Sequence, residues 1–155
     1  MSYNPKLKAV VTQNIDGLHQ AAGSKRVLEL HGNWTRLECT GYGARSTIDD
    51  FDEARAGRVP HCPSCSAVVR PDIVFYGEAL DPATLEGAVL AIAGACMLIV
   101  GGTSLAVYPA AGLIDYYQGG RLVLMNATPT PYDGRADLII REPIGRAFAQ
   151  IQGHV

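Results

Sequence analysis

The sequence predicts an α/β fold: a parallel sheet with helices on both faces, interrupted by a small inserted module that holds most of the cysteines. Three observations predict it. Short apolar runs alternate with stretches of helical spacing through most of the chain. Two of those runs, Cys96-Met97-Leu98-Ile99-Val100 and Leu122-Val123-Leu124-Met125, are continuously apolar, as in parallel strands covered on both sides. Between residues 33 and 66 the apolar periodicity fades, and three of the four cysteines appear there among glycine, proline and charge.

Taken in order, Lys8 to Val11 reads as a short strand and Asp16 to Ala22 as a short helix stopped by Gly23. Val27 to Leu30 is a second strand. Within the excursion, Ile48 to Arg55 has the length of a short helix opened by an aspartate. Ala67 to Gly77 is apolar and extended, broken by Pro71. Pro82 to Ala93 has helical spacing at Leu85, Val89, Leu90 and Ile92, with Pro82 at a first-turn position. The strand over Cys96 to Val100 follows, with Gly101-Gly102-Thr103-Ser104 as its turn. Pro109 to Gln118 is a helix ended by Gly119-Gly120, Leu122 to Met125 a buried strand, and Leu138 to Ile140 a last strand. Pro143 to Gln152 closes the chain as a helix, with Ile144, Phe148 and Ile151 on one face.

A length of 155 residues and an apolar fraction of 48% suit one domain with a real core. A net charge of −2 argues against broad electrostatic binding to nucleic acid. No apolar run is long enough to span a membrane. The start, Met1 to Lys6, lacks the apolar stretch of a secretory leader. Cys39, Cys62, Cys65 and Cys96 therefore read as thiols or metal ligands in the cytosol rather than as disulfides.

Chemistry concentrates at strand ends. Thr12-Gln13-Asn14-Ile15-Asp16-Gly17-Leu18-His19 leaves the first strand, and the carboxyl ends of strands in an open α/β sheet are where ligands bind. Gln13, Asn14 and Asp16 can hydrogen-bond sugar hydroxyls or a carboxamide. His31 stands at the end of the second strand, with a proton affinity suited to general-base work. Gly102 lets a backbone approach a phosphate or ribose, and Thr103 and Ser104 add hydroxyls. Taken singly, each has a plainer reading: a capping Asn or Asp, a surface His, a glycine turn, Asn126 as a turn residue before Pro129, Ile73-Val74-Phe75 as ordinary core, and Cys96 as a small buried residue. Cys62-Pro63-Ser64-Cys65 has the two-residue gap that lets two thiolates bind one tetrahedral ion, and is half a zinc site.

Jointly, these runs resemble the sirtuin family of NAD-dependent protein deacylases. The family runs TQNIDGLH and HG are matched by Thr12 to His19 and by His31-Gly32. GTSL-x-V-x-P is matched by Gly102 to Leu105, Val107 and Pro109, and VRPDVVxFGE by Val69 to Glu78. The resemblance implies a Rossmann-like NAD-binding domain over 1–32 and 67–155, with a small zinc-binding-type module over 33–66. It implies that NAD contacts Gln13, Asn14, Asp16, Gly102, Thr103, Ser104 and Asn126, and that Ile73, Val74 and Phe75 wall the tunnel of an acyl-lysine peptide added as a strand. It implies an attack of the acyl oxygen on the nicotinamide ribose, loss of nicotinamide, and His31 as the base that activates a ribose hydroxyl. The products are free lysine, nicotinamide and acyl-ADP-ribose.

The family completes its zinc site with a second C-x-x-C. Here Cys39-Thr40-Gly41-Tyr42 stands in that place, with a phenol where the fourth thiolate belongs. The candidate ligands are Cys39, Cys62 and Cys65, and three outcomes are open: zinc on these plus His61 or water, a module packed without zinc, or zinc easily lost. The resemblance starts near Lys8 and does not include the family's earlier central strand and GAG-x-S pyrophosphate turn. This leaves strand edges on which self-association or a partner strand is expected. A competing expectation is thus a truncated, inactive module that binds acyl-lysine peptide or a protein partner. ADP-ribosyl transfer to protein is a variant of the first reading, and a zinc-ribbon nucleic-acid binder is disfavoured by the acidic balance.

Overall fold

Val10–Thr12 (β1) and Val27–Glu29 (β2) pair in parallel, Val11 opposite Leu28. They open a computed structural model that describes residues 6–152, with only the backbone given at 151 and 152. The start over Met1 to Pro5 and the side chain of Ile151 lie outside the described residues. Residues 1–85 and 86–155 form two compact units.

In the first unit, the turn after β1 is set by local chemistry. Asp16 Oδ1 accepts the Leu18 N–H at 3.0 Å, and Gly17 takes φ 69°, a left-handed value that glycine adopts without penalty. A single helical turn follows, Leu18–Ala21 (α1). Gly32–Cys39 (β3) is the centre of an antiparallel sheet, with Arg45–Thr47 (β4) on one side and Val69–Ile73 (β5) on the other. Leu37, Cys39, Cys62 and Val69 form its buried core, with Ile48 and Phe51 packed against them. A 3-10 turn over Ile48–Asp50 is held by Asp50, whose Oδ2 accepts from the Thr47 N–H at 2.7 Å, and Asp52–Arg55 (α2) continues it.

Pro82–Ala93 (α3) starts at Asp81, whose Oδ2 accepts from both Thr84 N–H and Thr84 Oγ1 at 2.7 Å, and buries Ala88 and Ile92. In the second unit, Leu98–Gly101 (β6), Leu122–Met125 (β7) and Leu138–Ile140 (β8) pair in parallel in that order. β7, flanked on both edges, is buried throughout; Ile99 of β6 and Leu138 of β8 are about half exposed. Ile144–Gln152 (α4) buries Ala147 against Val123 and Met125. Among the described residues no helix is long and apolar enough to cross a membrane.

The parallel pairing expected from the sequence is present in both units. Several local expectations are corrected. The excursion that begins near Asn33 opens in an eight-residue strand, β3, for which the sequence reading named no element. Its more buried positions, Asn33, Leu37 and Cys39, include an asparagine, and the partner register shifts between Asn33 and Leu37, so no clean apolar alternation shows. Ile48 to Arg55 is a 3-10 turn and a short α-turn rather than one helix. Pro109 to Gln118 is not α-helical: Ala110–Tyr116 is 3-10, with Gly112 donating to the Pro109 carbonyl at 3.1 Å. Cys96 is exposed and precedes β6, which begins at Leu98.

Candidate functional site

His31 follows β2 and is fixed from two sides. The Leu30 N–H donates to the Thr12 carbonyl at 2.9 Å, which aligns the ends of β1 and β2. The Val74 N–H donates to the His31 carbonyl at 3.0 Å, which ties β5 to the same point. The His31 ring then lies with Nδ1 3.0 Å from the Gln13 main-chain oxygen. A carbonyl oxygen can only accept, so in the neutral ring this contact selects the tautomer with the proton on Nδ1 and the lone pair on Nε2. That tautomer is the one a general base needs.

Gly32 lets this junction form. A Cβ there would lie 2.0 Å from the Asp72 carbonyl oxygen, and its φ is +77°. The strands that meet here also share a polar network that the sequence did not single out. Asn33, 6% exposed, donates from Nδ2 to Glu29 Oε1 at 2.7 Å. Arg36 bridges Glu29 Oε2 at 2.6 Å and Asp72 Oδ2 at 3.0 Å. Burial pushes the Glu29 carboxyl up, and hydrogen bonds from Arg36, Asn33 and Gln20 outweigh it, so the group sits below its ordinary value. The network joins β2, β3 and β5 through Glu29, Asn33, Arg36 and Asp72. Its only sequence signal is Glu29, a charge within the otherwise apolar run Val27 to Leu30.

The other first-unit candidates line up on the turn after β1. Asn14 is exposed, its N–H donating to Thr12 Oγ1 at 3.0 Å. Asp16 is exposed, one oxygen engaged by Leu18 N–H. The structure thus brings Gln13, through its main chain, to His31 and sets Asn14 and Asp16 on the same turn. Ile73 and Val74 are half-buried and Phe75 is exposed, so none of the three is ordinary core. Ile73 ends β5 and Val74 and Phe75 follow it; β5 has no strand on its outer edge among the described residues. A cavity of about 340 Å³ runs beside it, lined by Arg70, Asp72, Ile73, Val74 and Glu78 among others. Arg70 lies over the Phe75 ring at 4.8 Å and pairs with Glu78 at 2.8 Å. That guanidinium, with the Phe75 N–H, holds Glu78 down at about 2.

In the second unit, Gly102 takes φ +66° after β6, and its N–H donates to the Met125 carbonyl at 3.0 Å. Thr103 Oγ1 accepts the Leu105 N–H at 3.2 Å, and Ser104 is exposed. Asn126 follows β7; its Nδ2 donates to Thr128 O at 2.9 Å, and Arg141 donates to its carbonyl at 3.3 Å. Gly102 and Asn126 therefore stand at the carboxyl ends of adjacent parallel strands.

Cys39 ends β3, and Cys62 and Cys65 lie on the turn before β5. That turn is closed by Cys62 N–H to Ala67 O and Ser66 N–H to Cys62 O, both 2.8 Å. The three sulfurs all lie within 4.8 Å of one another, with Cys39 and Cys65 3.4 Å apart. Ligands of one tetrahedral zinc stand about 3.8 Å apart for Zn–S bonds of about 2.3 Å, so the three thiols fit a single ion. It would act there as a structural crosslink between β3 and the turn before β5. His61, exposed, is not part of the cluster. Tyr42 Oη lies 3.6 Å from Cys62 Sγ. Its hydrogen bond, with those of the Ser64 and Cys65 N–H groups, lowers the Cys62 thiol to about 6.

A model of the Sir2 family matches residues 1–109. An NAD-dependent protein deacetylase of Clostridium acetobutylicum is 49% identical over 146 residues, which cover 94% of this chain and 59% of the relative. One from Clostridium perfringens is 50% identical over 147 residues, again 94% and 59%. A solved structure of Sir2 with p53 peptide and NAD+ superposes with TM-score 0.87 at 40% identity, over 95% of this chain and 62% of that one. A structure of Sir2 bound to acetylated peptide gives 0.88 at 39%, over 95% and 63%. The chain thus spans about three-fifths of the length of the curated relatives it matches.

Proposed function

Because the chain belongs to the Sir2 family, we propose that it acts as an NAD-dependent protein-lysine deacylase with His31 as general base. The observation that carries this reading is the 3.0 Å contact between His31 Nδ1 and the Gln13 carbonyl, which leaves Nε2 free to take a proton. NAD, when bound, supplies the ribose that receives the acyl group and the nicotinamide that departs. His31 Nε2 removes the proton from a ribose hydroxyl. Asn14 and Asp16 hold the carboxamide side of the cofactor, and Gln13 its ribose. Gly102, Thr103, Ser104 and Asn126 are the cofactor contacts of the second unit. Ile73, Val74 and Phe75 receive the acyl-lysine, and the free edge of β5 supports addition of the peptide as a strand. We read residues 33–66 as the zinc-binding-type module, and its cysteine usage supports a cytosolic setting.

The test is nicotinamide release from NAD by the purified chain with an acetyl-lysine peptide, beside His31→Ala. Release should need the peptide and fall by about 10²- to 10⁴-fold in the variant, while far-UV circular dichroism stays unchanged. Equal release from both proteins would remove His31 from the role. No release from folded wild type, with peptide still bound, would favour a non-catalytic acyl-lysine binding module instead.

A further inference from the structure

We propose that Cys39, Cys62 and Cys65 hold zinc as a three-thiolate site whose fourth position is filled from solvent by water or a small thiol, with the Tyr42 hydroxyl donating to the Cys62 sulfur rather than ligating the ion. The proposal concerns the metal centre and is independent of the deacylase reading.

Three features carry it. The sulfur cluster is already closed to ion-binding dimensions, and it is backed by donors suited to thiolates: the Gly41 N–H lies 3.4 Å from Cys39 Sγ. Gly41 has no room for a side chain, since a Cβ would meet Cys65 Sγ and Ala67 Cβ at 3.0 Å. The loop is therefore built for the approach of two sulfurs. Second, no fourth His, Cys, Asp or Glu joins the cluster among the described residues. Third, the remaining side is open to solvent: Cys65 is exposed and Tyr42 is 59% exposed.

Ligand softness assigns the role of Tyr42. The hard phenol oxygen is a poor partner for an ion already held by three soft thiolates. Donating to Cys62 instead, the neutral phenol draws charge away from its sulfur. Water can then fill the fourth place, and a small thiol displaces that water as a thiolate, giving its proton to solvent as its sulfur joins the ion.

Cobalt(II) replaces zinc as the probe, because its visible absorption reports the ligand set. The reduced chain should bind one cobalt with the sulfur-to-metal charge-transfer intensity of three thiolates. Adding 2-mercaptoethanol should raise that intensity toward four and shift the d–d bands. Tyr42→Cys should show the four-thiolate spectrum from the start and ignore the added thiol. Tyr42→Phe should keep the three-thiolate spectrum and its response, with affinity weakened by about ten- to a hundredfold. With zinc bound, a thiol reagent should label Cys96 and spare the other three. A wild-type spectrum unmoved by thiol, a Tyr42→Phe spectrum with changed bands, or full labelling of all four cysteines in the presence of zinc would each overturn the proposal.

Discussion

Gly32 and His31 are neighbours with opposite demands on space. His31 needs its ring turned to the Gln13 carbonyl, and Gly32 permits this by leaving room for the Asp72 carbonyl at a left-handed φ. Gly32→Ala is expected to cost at least about 1–2 kcal/mol from the backbone conformation alone, with the clash adding to it, and a urea titration would measure the loss. Stability equal to wild type would mean that the β3–β5 junction is more yielding than its geometry implies. Asn33 invites a parallel argument. Asn33→Leu removes the Glu29 contact while keeping volume, and leaves a carboxylate whose side chain is largely buried short of one donor. A loss of about 1–3 kcal/mol follows. His31 was legible from sequence because its position after a strand and before glycine is distinctive. Asn33, Glu29 and Arg36 were not, because their value lies in mutual contacts across β2, β3 and β5, which no local pattern encodes.

At the level of elements, β7 and the β5 terminus behave differently. β7 is a continuous apolar run flanked by strands on both edges, and Leu124 is only 1% exposed. Leu124→Ala should cost about 2–5 kcal/mol, read as a fall in the urea midpoint with an unchanged slope. The β5 terminus is held instead by polar contacts, Glu78 to Arg70 and to the Phe75 N–H. The folded-state pKa of Glu78 is depressed from 4.5 to about 2. Its contribution is therefore fully present above pH 4.5 and is lost as pH falls toward 2. Glu78→Gln should lower stability at neutral pH, and its difference from wild type should shrink below pH 4.5 in acid-unfolding curves. A difference that stays constant down to pH 2 would show that Glu78 acts through packing rather than charge.

Across the whole chain, proposed cofactor contacts occur in each compact unit, at strand ends in both. Asn14→Ala and Asn126→Ala should therefore each raise the KM for NAD while leaving the thermal transition in place, measured by nicotinamide release over a range of NAD. An unchanged KM in either variant would take that residue out of the cofactor site. What the sequence by itself determined was the α/β class, the strand-end placement of Gln13, Asn14, Asp16, His31, Gly102 and Asn126, and the three cysteines. These follow from local rules, since apolar runs, glycine turns and C-x-x-C spacing act over a few residues. Tertiary structure alone decided that residues 32–39 form a strand, that Cys96 is exposed, which ring nitrogen of His31 faces the Gln13 carbonyl, and that Cys39 closes on Cys62 and Cys65 with Tyr42 beside them. Each depends on a partner far along the chain, and only the folded backbone brings such partners within hydrogen-bond or ligand distance.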